Sequence, residues 1–382
     1  MKKMTSRERL IAAARQEPVD MIPLAPRVGH AAHTHYGSES PPNMLRLKKI
    51  YDYDPFITVQ GHDLPFLDPY QTYNYAPGVN VDINIKDQGT RRSIDKTIHT
   101  PDGDLHEVLW MPNPGQIEYG HAPNPRHVEY MVKSPDDLPK VRHLIPLVNT
   151  TWTDEYHGWD TVAGDEAVIR AAVYAPLDYQ ASFVMSIEDI MIGYLSDREF
   201  VDELVDMFRQ YVKTQTKAML EAGVRYFSAS WYGHSLSVGW SPRIFREWSL
   251  PMIKEQVELI HSYDGIVHYY DDGKVMGIIP MLLEAGVNVL ETCTPAPVGD
   301  VDLAQARRLC ADQMTLMGYV DLIYVIQKGT VEDVRRTIEA ACRMGGKDGC
   351  FILGTSDSIR EDTPMENIDA YFKYGRQYGK IC

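Results

Sequence analysis

The residues best suited to chemistry gather in one stretch, Tyr263–Asp300. It reads Tyr-Asp-Gly-Ile-Val-His-Tyr-Tyr-Asp-Asp-Gly, then a helix-like segment, then Gly286-Val-Asn-Val-Leu-Glu-Thr-Cys-Thr-Pro. One short apolar run ends in His268, Tyr270, Asp271 and Asp272; the next ends in Glu291 and Cys293. An imidazole, a phenol, carboxylates and a thiol where strands stop are groups that donate a proton or ligate a metal. Glu247 lies twenty-one residues before His268, and Trp231-Tyr-Gly-His234 closes an earlier apolar run. Near the N-terminus, Arg27, His30, His33 and His35 fall within nine residues. Their spacing of three then two is not one helical face, so substrate contact or a structural role is expected ahead of metal ligation. His62 and Asp357 follow two further apolar runs.

Each residue also has a plainer role to be weighed. Glu247 on a helix is a solvated charge or a local ion pair. His268 is a buried neutral histidine with one hydrogen bond. Asp271, Asp272 and Asp357 are helix caps. Cys293 is a small buried apolar side chain, and the aromatics are core packing.

The elements that must position these groups alternate between strand and helix. Thr5 or Ser6 caps a helix to about Arg15, and Pro18 ends it. Met21-Ile-Pro-Leu-Ala-Pro reads as a short first strand, made irregular by Pro23 and Pro26. Asn43–Tyr51 is helical, and Phe56–Gln60 is a strand ending at Gly61-His62-Asp63. Residues 64–150 break the rhythm: Val79–Ile85, Arg92–His99 and Leu105–Trp110 alternate apolar and polar residues around the turn at Pro101-Asp-Gly. They are expected to form a β-rich insertion or lid. The βα rhythm then returns with Ala167–Ala172, the amphipathic helix Arg198–Ala222 stopped by Gly223, and Val224–Ser230. Ser241 and Pro242 open a helix, and Pro251–Ser262 precedes the strand of His268. Thr315–Val320, Thr330–Arg343, Phe351–Gly354 and Glu366–Tyr378 complete the chain. The fold expected is a TIM (β/α)8 barrel, one domain over residues 1–382. No Gly-x-Gly-x-x-Gly turn or Walker loop follows any strand.

Composition narrows the function classes. The 382 residues are 44% hydrophobic, enough for a sizeable core. A net charge of −15 without a basic stripe argues against nucleic-acid binding. No apolar run approaches the roughly 20 residues of a membrane span. The N-terminus leads into an amphipathic helix rather than an apolar signal core, and the five cysteines are odd in number and scattered. A cytoplasmic protein is expected, with a homodimer left open.

Several segments together resemble one family. They are Met4-Thr-Ser-Arg-Glu-Arg-Leu with Asp20-Met-Ile-Pro, Val267-His268 with its acidic Gly turn, and Glu284-Ala-Gly-Val-Asn-Val-Leu. Phe351-Ile-Leu-Gly-Thr-Ser-Asp, Thr363-Pro-Met-Glu-Asn-Ile and Gly375-Arg-Gln-Tyr-Gly are the most specific. The chain looks like the uroporphyrinogen decarboxylase superfamily, which includes the decarboxylase and the zinc-dependent methyltransferases that work with corrinoid proteins. The decarboxylase carries Arg-Gln-Ala-Gly-Arg-Tyr after its first strand; here Pro26-Arg-Val-Gly-His-Ala keeps one arginine. The coenzyme M methyltransferases bind zinc through His-x-Cys and a later Cys. His268 matches, but Tyr270 stands for the first cysteine and Thr355 or Ser356 for the second.

The ether-cleaving methyltransferases of O-demethylation fit better. Their zinc site resembles Glu-x14-Glu-x20-His, which Glu247 and His268 match in part, with Tyr232 at the first position. The resemblance implies a methyltransferase that cleaves a methyl ether, a methoxylated aromatic by expectation. The methyl group passes to the Co(I) corrinoid of a partner protein. Zinc on Glu247 and His268, with Glu291 or Cys293 as further ligands, would polarise the ether oxygen. Without zinc, Tyr232, Tyr270 or His234 would donate the proton. Trp231, Tyr232 and Tyr269 would pack the ring, with Arg27, His30 and His62 as further substrate contacts and Asp357 orienting a catalytic group. The alternative is a metal-free lyase on a smaller aromatic acid, its carboxylate held by Arg27.

Overall fold

The computed structural model describes residues 3–29, 37–113, 125–346 and 348–380. The strands are β1 (Phe56–Gln60), β2 (Asn80–Asp87), β3 (Arg91–Thr100), β4 (Gly103–Pro112), β5 (Arg126–Glu129) and β6 (Val168–Tyr174). They continue with β7 (Tyr226–Ser230), β8 (Ile266–Tyr270), β9 (Val289–Thr292), β10 (Thr315–Val320) and β11 (Phe351–Thr355). Two compact units result. The first holds Met1–Gly61, Thr150–Val173 and Met219–Cys382; the second holds His62–Asn149 and Tyr174–Ala218. The β-rich insertion expected at 64–150 therefore belongs to a larger unit that also takes in 174–218.

In the first unit a curled parallel sheet runs β1-β6-β7-β8-β9-β10-β11. These strands are buried almost throughout, so their apolar residues do not alternate with polar ones. The eighth staff of the barrel is not a regular strand. Pro23 and Pro26 limit it to an isolated bridge between Leu24 and Leu353, extended by Ala25 N–H to Leu353 O and Leu353 N–H to Pro23 O. On its other side Leu24 O accepts from Asp54 N–H, just before β1, so residues 23–25 join the two ends of the sheet.

Asp54 makes that joint permanent. Its fully buried carboxylate accepts from Ser6 Oγ and Arg9 at 2.6 Å, and from Leu24 N–H and Arg376 at 2.9 Å. Burial would raise its pKa, but Arg376 and Arg9 hold it below the ordinary range. The helix Ser6–Ala14, opened by a capping box between Thr5 and Glu8, closes the N-terminal end of the barrel. Leu10, Ala13 and Ala14 pack there on Val168, Tyr226, Ile266, Val289 and Ile352. This apolar floor leaves the other end of the strands for polar groups.

The second unit contains an antiparallel sheet in the order β2-β3-β4-β5. Ile94, Ile98, Leu105 and Leu109 form its buried face, as their alternation predicts. That face also holds Lys96, whose ammonium meets Glu107 and the Asp68 carbonyl, each at 2.9 Å.

Candidate active site

Strand alternation decides which residues of β8 reach the barrel interior. His268 and Tyr270 point inward, and Tyr269 between them points out. Tyr269 is fully buried outside the barrel and lies parallel to Trp231, with ring centroids 6.3 Å apart. Trp231 donates its indole N–H to Gln256 of the helix Leu250–His261. Both rings therefore pack the strand layer against a helix, and neither packs a substrate as the sequence suggested.

His268 stands directly above the apolar floor, in a layer with Thr58, Arg170 and Glu291. The register aligns Thr58 with Arg170 on neighbouring strands; Glu291 aligns with Tyr270, the next inward residue of β8, and its carboxylate reaches back to His268. Arg170 Nη1 lies 3.0 Å from Glu291 Oε2 and 3.4 Å from His268 Nδ1, and its Nε donates to Thr58 Oγ1. His268 Nε2 is 2.9 Å from the same Glu291 oxygen, and Tyr226 Oη is 3.2 Å from Nδ1. His268 and Glu291 are 0% exposed. Burial would raise the Glu291 carboxyl, but Arg170, His268 and Arg27 outweigh it and hold the group far below the usual range. Burial lowers the His268 pKa, and Arg170 and Arg27 add to that against the pull of Glu291. The layer is an ionised glutamate beside a neutral imidazole.

Above this layer the strands end in half-buried polar groups. Arg27 follows the irregular first staff, Tyr270 ends β8, Asp272 lies in the turn beyond it, and Asp357 follows β11. The Arg27 guanidinium sits 4.5 Å from the centroid of the Tyr270 ring, and its Nε is 4.0 Å from Glu291 Oε1. Tyr270 Oη donates to Asp272 at 2.9 Å. Burial drives the Tyr270 phenol well above its usual pKa, with Asp272 and Asp357 adding to the effect. Burial also raises Asp272, with Asp357 reinforcing it. A phenol, a carboxyl whose pKa burial raises and a fixed cation thus share the mouth, groups suited to a developing oxyanion. Asp357 also pairs with Arg360 at 3.1 Å.

The other expected site residues lie elsewhere. His234 is fully buried among Trp231 and Trp248, with Nδ1 2.9 Å from Ser249 Oγ. Burial lowers its pKa to about 3, which disfavours the imidazolium form that would serve as a general acid. Tyr232 is 47% exposed in the turn after β7. His62 belongs to the second unit, where its Nε2 accepts from Tyr174 N–H and its ring stacks on Tyr174 and Tyr211. Burial lowers it too, to about 3. His30, His33 and His35 lie outside the described residues.

Zinc is the cofactor that the sequence resemblance implied, and the donors here do not suit it. Glu247 is exposed on its helix, 3.8 Å from Arg243. Glu291 is already neutralised by Arg170, so a dication at His268 would enter against that guanidinium and Arg27. Burial pushes the Cys293 thiol up, and its Sγ donates to Leu290 O at 3.4 Å. Among the described residues no three His, Cys, Asp or Glu side chains are grouped to hold a metal ion. Arg170 and Tyr226 escaped the sequence reading. The signal for Arg170 was a lone arginine inside the apolar run 167–172, which has to find a buried partner. Tyr226 gave no signal.

The comparisons agree with this barrel. The family model described as "Uroporphyrinogen decarboxylase (URO-D)" matches residues 117–378. The chain belongs to the uroporphyrinogen decarboxylase family. A solved methyltransferase from Methanosarcina mazei superposes on 98% of this chain and 99% of its own, at 16% identity and a TM-score of 0.63. At that identity it shares the fold with this family member. A B12-independent methionine synthase from Shewanella sp. W3-18-1 covers 67% of this chain and 70% of its own, at 10% identity and a TM-score of 0.44. No curated protein matches the sequence.

Proposed function

We propose that this family member is a methyltransferase. It takes a methyl group from a small methoxylated aromatic and passes it to the Co(I) corrinoid of a partner protein. The observation that carries the proposal is the Tyr270–Asp272 hydrogen bond beside Arg27 at the barrel mouth. The likeness to the Methanosarcina methyltransferase, across nearly the full length of both chains, supports the class of reaction. An aryl methyl ether is slow to react because its leaving phenolate is poor, so the site must stabilise that oxygen.

The corrinoid is a co-substrate that supplies the nucleophile for the methyl carbon. As the carbon–oxygen bond breaks, its electron pair stays on oxygen. The Tyr270 hydroxyl, which otherwise donates to Asp272, turns its O–H to that oxygen and gives up its proton, while a protonated Asp272 carboxyl, its pKa raised by burial, returns one to the Tyr270 oxygen. Arg27 keeps its charge beside Tyr270 and offsets the negative charge as it forms. His268 does not touch the substrate in this scheme. It works through Glu291, which in turn faces Arg27.

The test is anaerobic transfer from a panel of methoxylated aromatics to free cob(I)alamin, read by the absorbance of methyl–cobalt. Transfer from at least one donor, lost in Tyr270→Phe, supports the proposal. No transfer from any donor ends it.

One observation favours a second reading. Arg27 Nη1 is buried and has no hydrogen-bond partner among the described residues. A free guanidinium nitrogen suits a substrate carboxylate, as a metal-free lyase on an aromatic acid would need. Release of CO2 from such acids, abolished in Arg27→Gln, would establish that reading instead.

A further inference from the structure

The edge of the antiparallel sheet in the second unit is long and exposed. β2 is an eight-residue edge strand, and residues 82–87 are all exposed. Ile83 and Ile85 are 38% and 45% exposed, although they lie on the same face as buried Lys96 and Ile94, their partners on β3. Monomers usually blunt such an edge or leave it short.

The hydrogen-bond phase shows what the edge presents. Gln88 N–H donates to Arg91 O at 2.8 Å, and these residues continue the β2–β3 register. Antiparallel pairing alternates, so even-numbered residues of β2 bond to β3. Val81, Ile83, Ile85 and Asp87 then aim their N–H and C=O groups outward, along an edge that no strand among the described residues pairs with.

We propose that β2 pairs with β2 of a second copy of this chain, antiparallel, about a two-fold axis through Asn84. The two four-stranded sheets become one. Charge complementarity selects this register. With Asn84 opposite its own copy, Asp82 of each chain faces Lys86 of the other, and Lys86 faces Asp82. On the opposite face Ile83 meets Ile85 in both directions, covering the apolar area each copy leaves exposed. The outward groups of 83 and 85 meet as hydrogen-bonded pairs, and Val81 meets Asp87 in the same way. Moving the axis to Ile83 would set Asp82 against Asn84 and Lys86 against Asn80, with no ion pair. An axis between residues would turn apolar side chains against polar ones. The self-complementary pattern is what a two-fold interface requires. This proposal does not depend on the methyl-transfer chemistry.

The test uses the full chain in sedimentation velocity across a concentration series. A dimer is expected. Ile83→Pro removes an outward N–H without touching a β2–β3 bond and should give a monomer with an unchanged melting temperature. Lys86→Asp sets like charges opposite each other and should weaken the dimer at least tenfold. The exchange Asp82→Lys with Lys86→Asp should restore it, which a merely structural role for either residue would not do. In a Cys382→Ser background, where the cysteines among the described residues are buried, Asn84→Cys should cross-link across the axis under mild oxidation. A monomeric wild type overturns the proposal. So does a dimer indifferent to both Ile83→Pro and Lys86→Asp, or one in which Asn84→Cys fails to cross-link. Should Ile83→Pro fail to fold, the charge exchange and the cross-link still decide.

Discussion

Glu291 and Arg170 form an ion pair at 3.0 Å, with the carboxylate fully buried and the guanidinium nearly so. The pair joins β9 to β6 across the inside of the barrel, one layer above the apolar floor. Such a pair gains little over two apolar residues of the same shape, because both charges were taken out of water. Losing one partner is a different matter. Glu291→Ala leaves Arg170 charged and buried, and should destabilise the protein by roughly 3–5 kcal/mol. Arg170→Met with Glu291→Leu should cost markedly less than the sum of the two single changes. Urea midpoints for the three variants measure this; additive effects would mean that the pair is not coupled.

Tyr270→Phe removes the donor to Asp272 while keeping the ring under Arg27. If the phenol protonates the leaving oxygen, methyl transfer falls by about 10²–10⁴-fold and the fold is intact by circular dichroism. Arg27→Lys keeps the charge but loses the planar contact with Tyr270, so its deficit should be smaller. A Tyr270→Phe enzyme with wild-type turnover would remove Tyr270 from the chemistry.

The pH profile should respond to Asp357. Asp272 has a raised pKa, from burial first and from the negative charge of Asp357 next. The proton-bearing carboxyl is the useful one, so activity is present below that pKa and declines as pH rises through it. Asp357→Asn removes a like charge and lowers the Asp272 pKa. The basic limb of turnover should therefore move to lower pH. A limb that stays put, or moves up, would show that Asp272 is not the proton reserve.

Zinc should be dispensable. Glu247 lies on the exposed face of its helix beside Arg243, away from the buried layer of His268 and Glu291. Glu247→Ala should leave methyl transfer unchanged, and dialysis against a chelator should not lower it. Loss of activity on chelation, restored by zinc, would overturn the assignment of oxygen activation to Tyr270 and Arg27.

The sequence located the strands of the barrel well, because each is a short apolar run closed by a turn signal. It also located the polar residues at their ends, including Arg27, Tyr270, Asp272 and Asp357. The side each residue faces was much less legible. A barrel strand is covered inside by other strands and outside by helices, so both faces are apolar and alternation carries no sign. Trp231, Tyr269 and His234 were accordingly read into the site, although they pack the outer layer. Glu291 looked like a metal ligand because its arginine partner comes from β6, 121 residues earlier in the chain. A contact that distant leaves no local spacing to detect. The first staff was legible as irregular from Pro23 and Pro26, but that it closes the barrel through Asp54 required the fold.

Two buried histidines give the last prediction. His62 and His234 sit in different units, and burial lowers each to a pKa of about 3 from an ordinary 6.5. Between those values the unfolded chain binds protons that the folded chain excludes. Stability therefore rises with pH across that window and is lost as pH falls from about 6.5 toward about 3. Each histidine contributes at most about 1.4 kcal/mol per pH unit there. Melting temperatures between pH 7 and pH 5 should fall steeply for the wild type. His234→Gln, which cannot titrate, should lower the melting temperature at pH 7 and flatten the slope below pH 6.5. His62→Gln should do the same for the transition of the second unit, if the two units melt separately. A slope unaltered by either change would mean that these imidazoles protonate in the folded state, and that water reaches both sites.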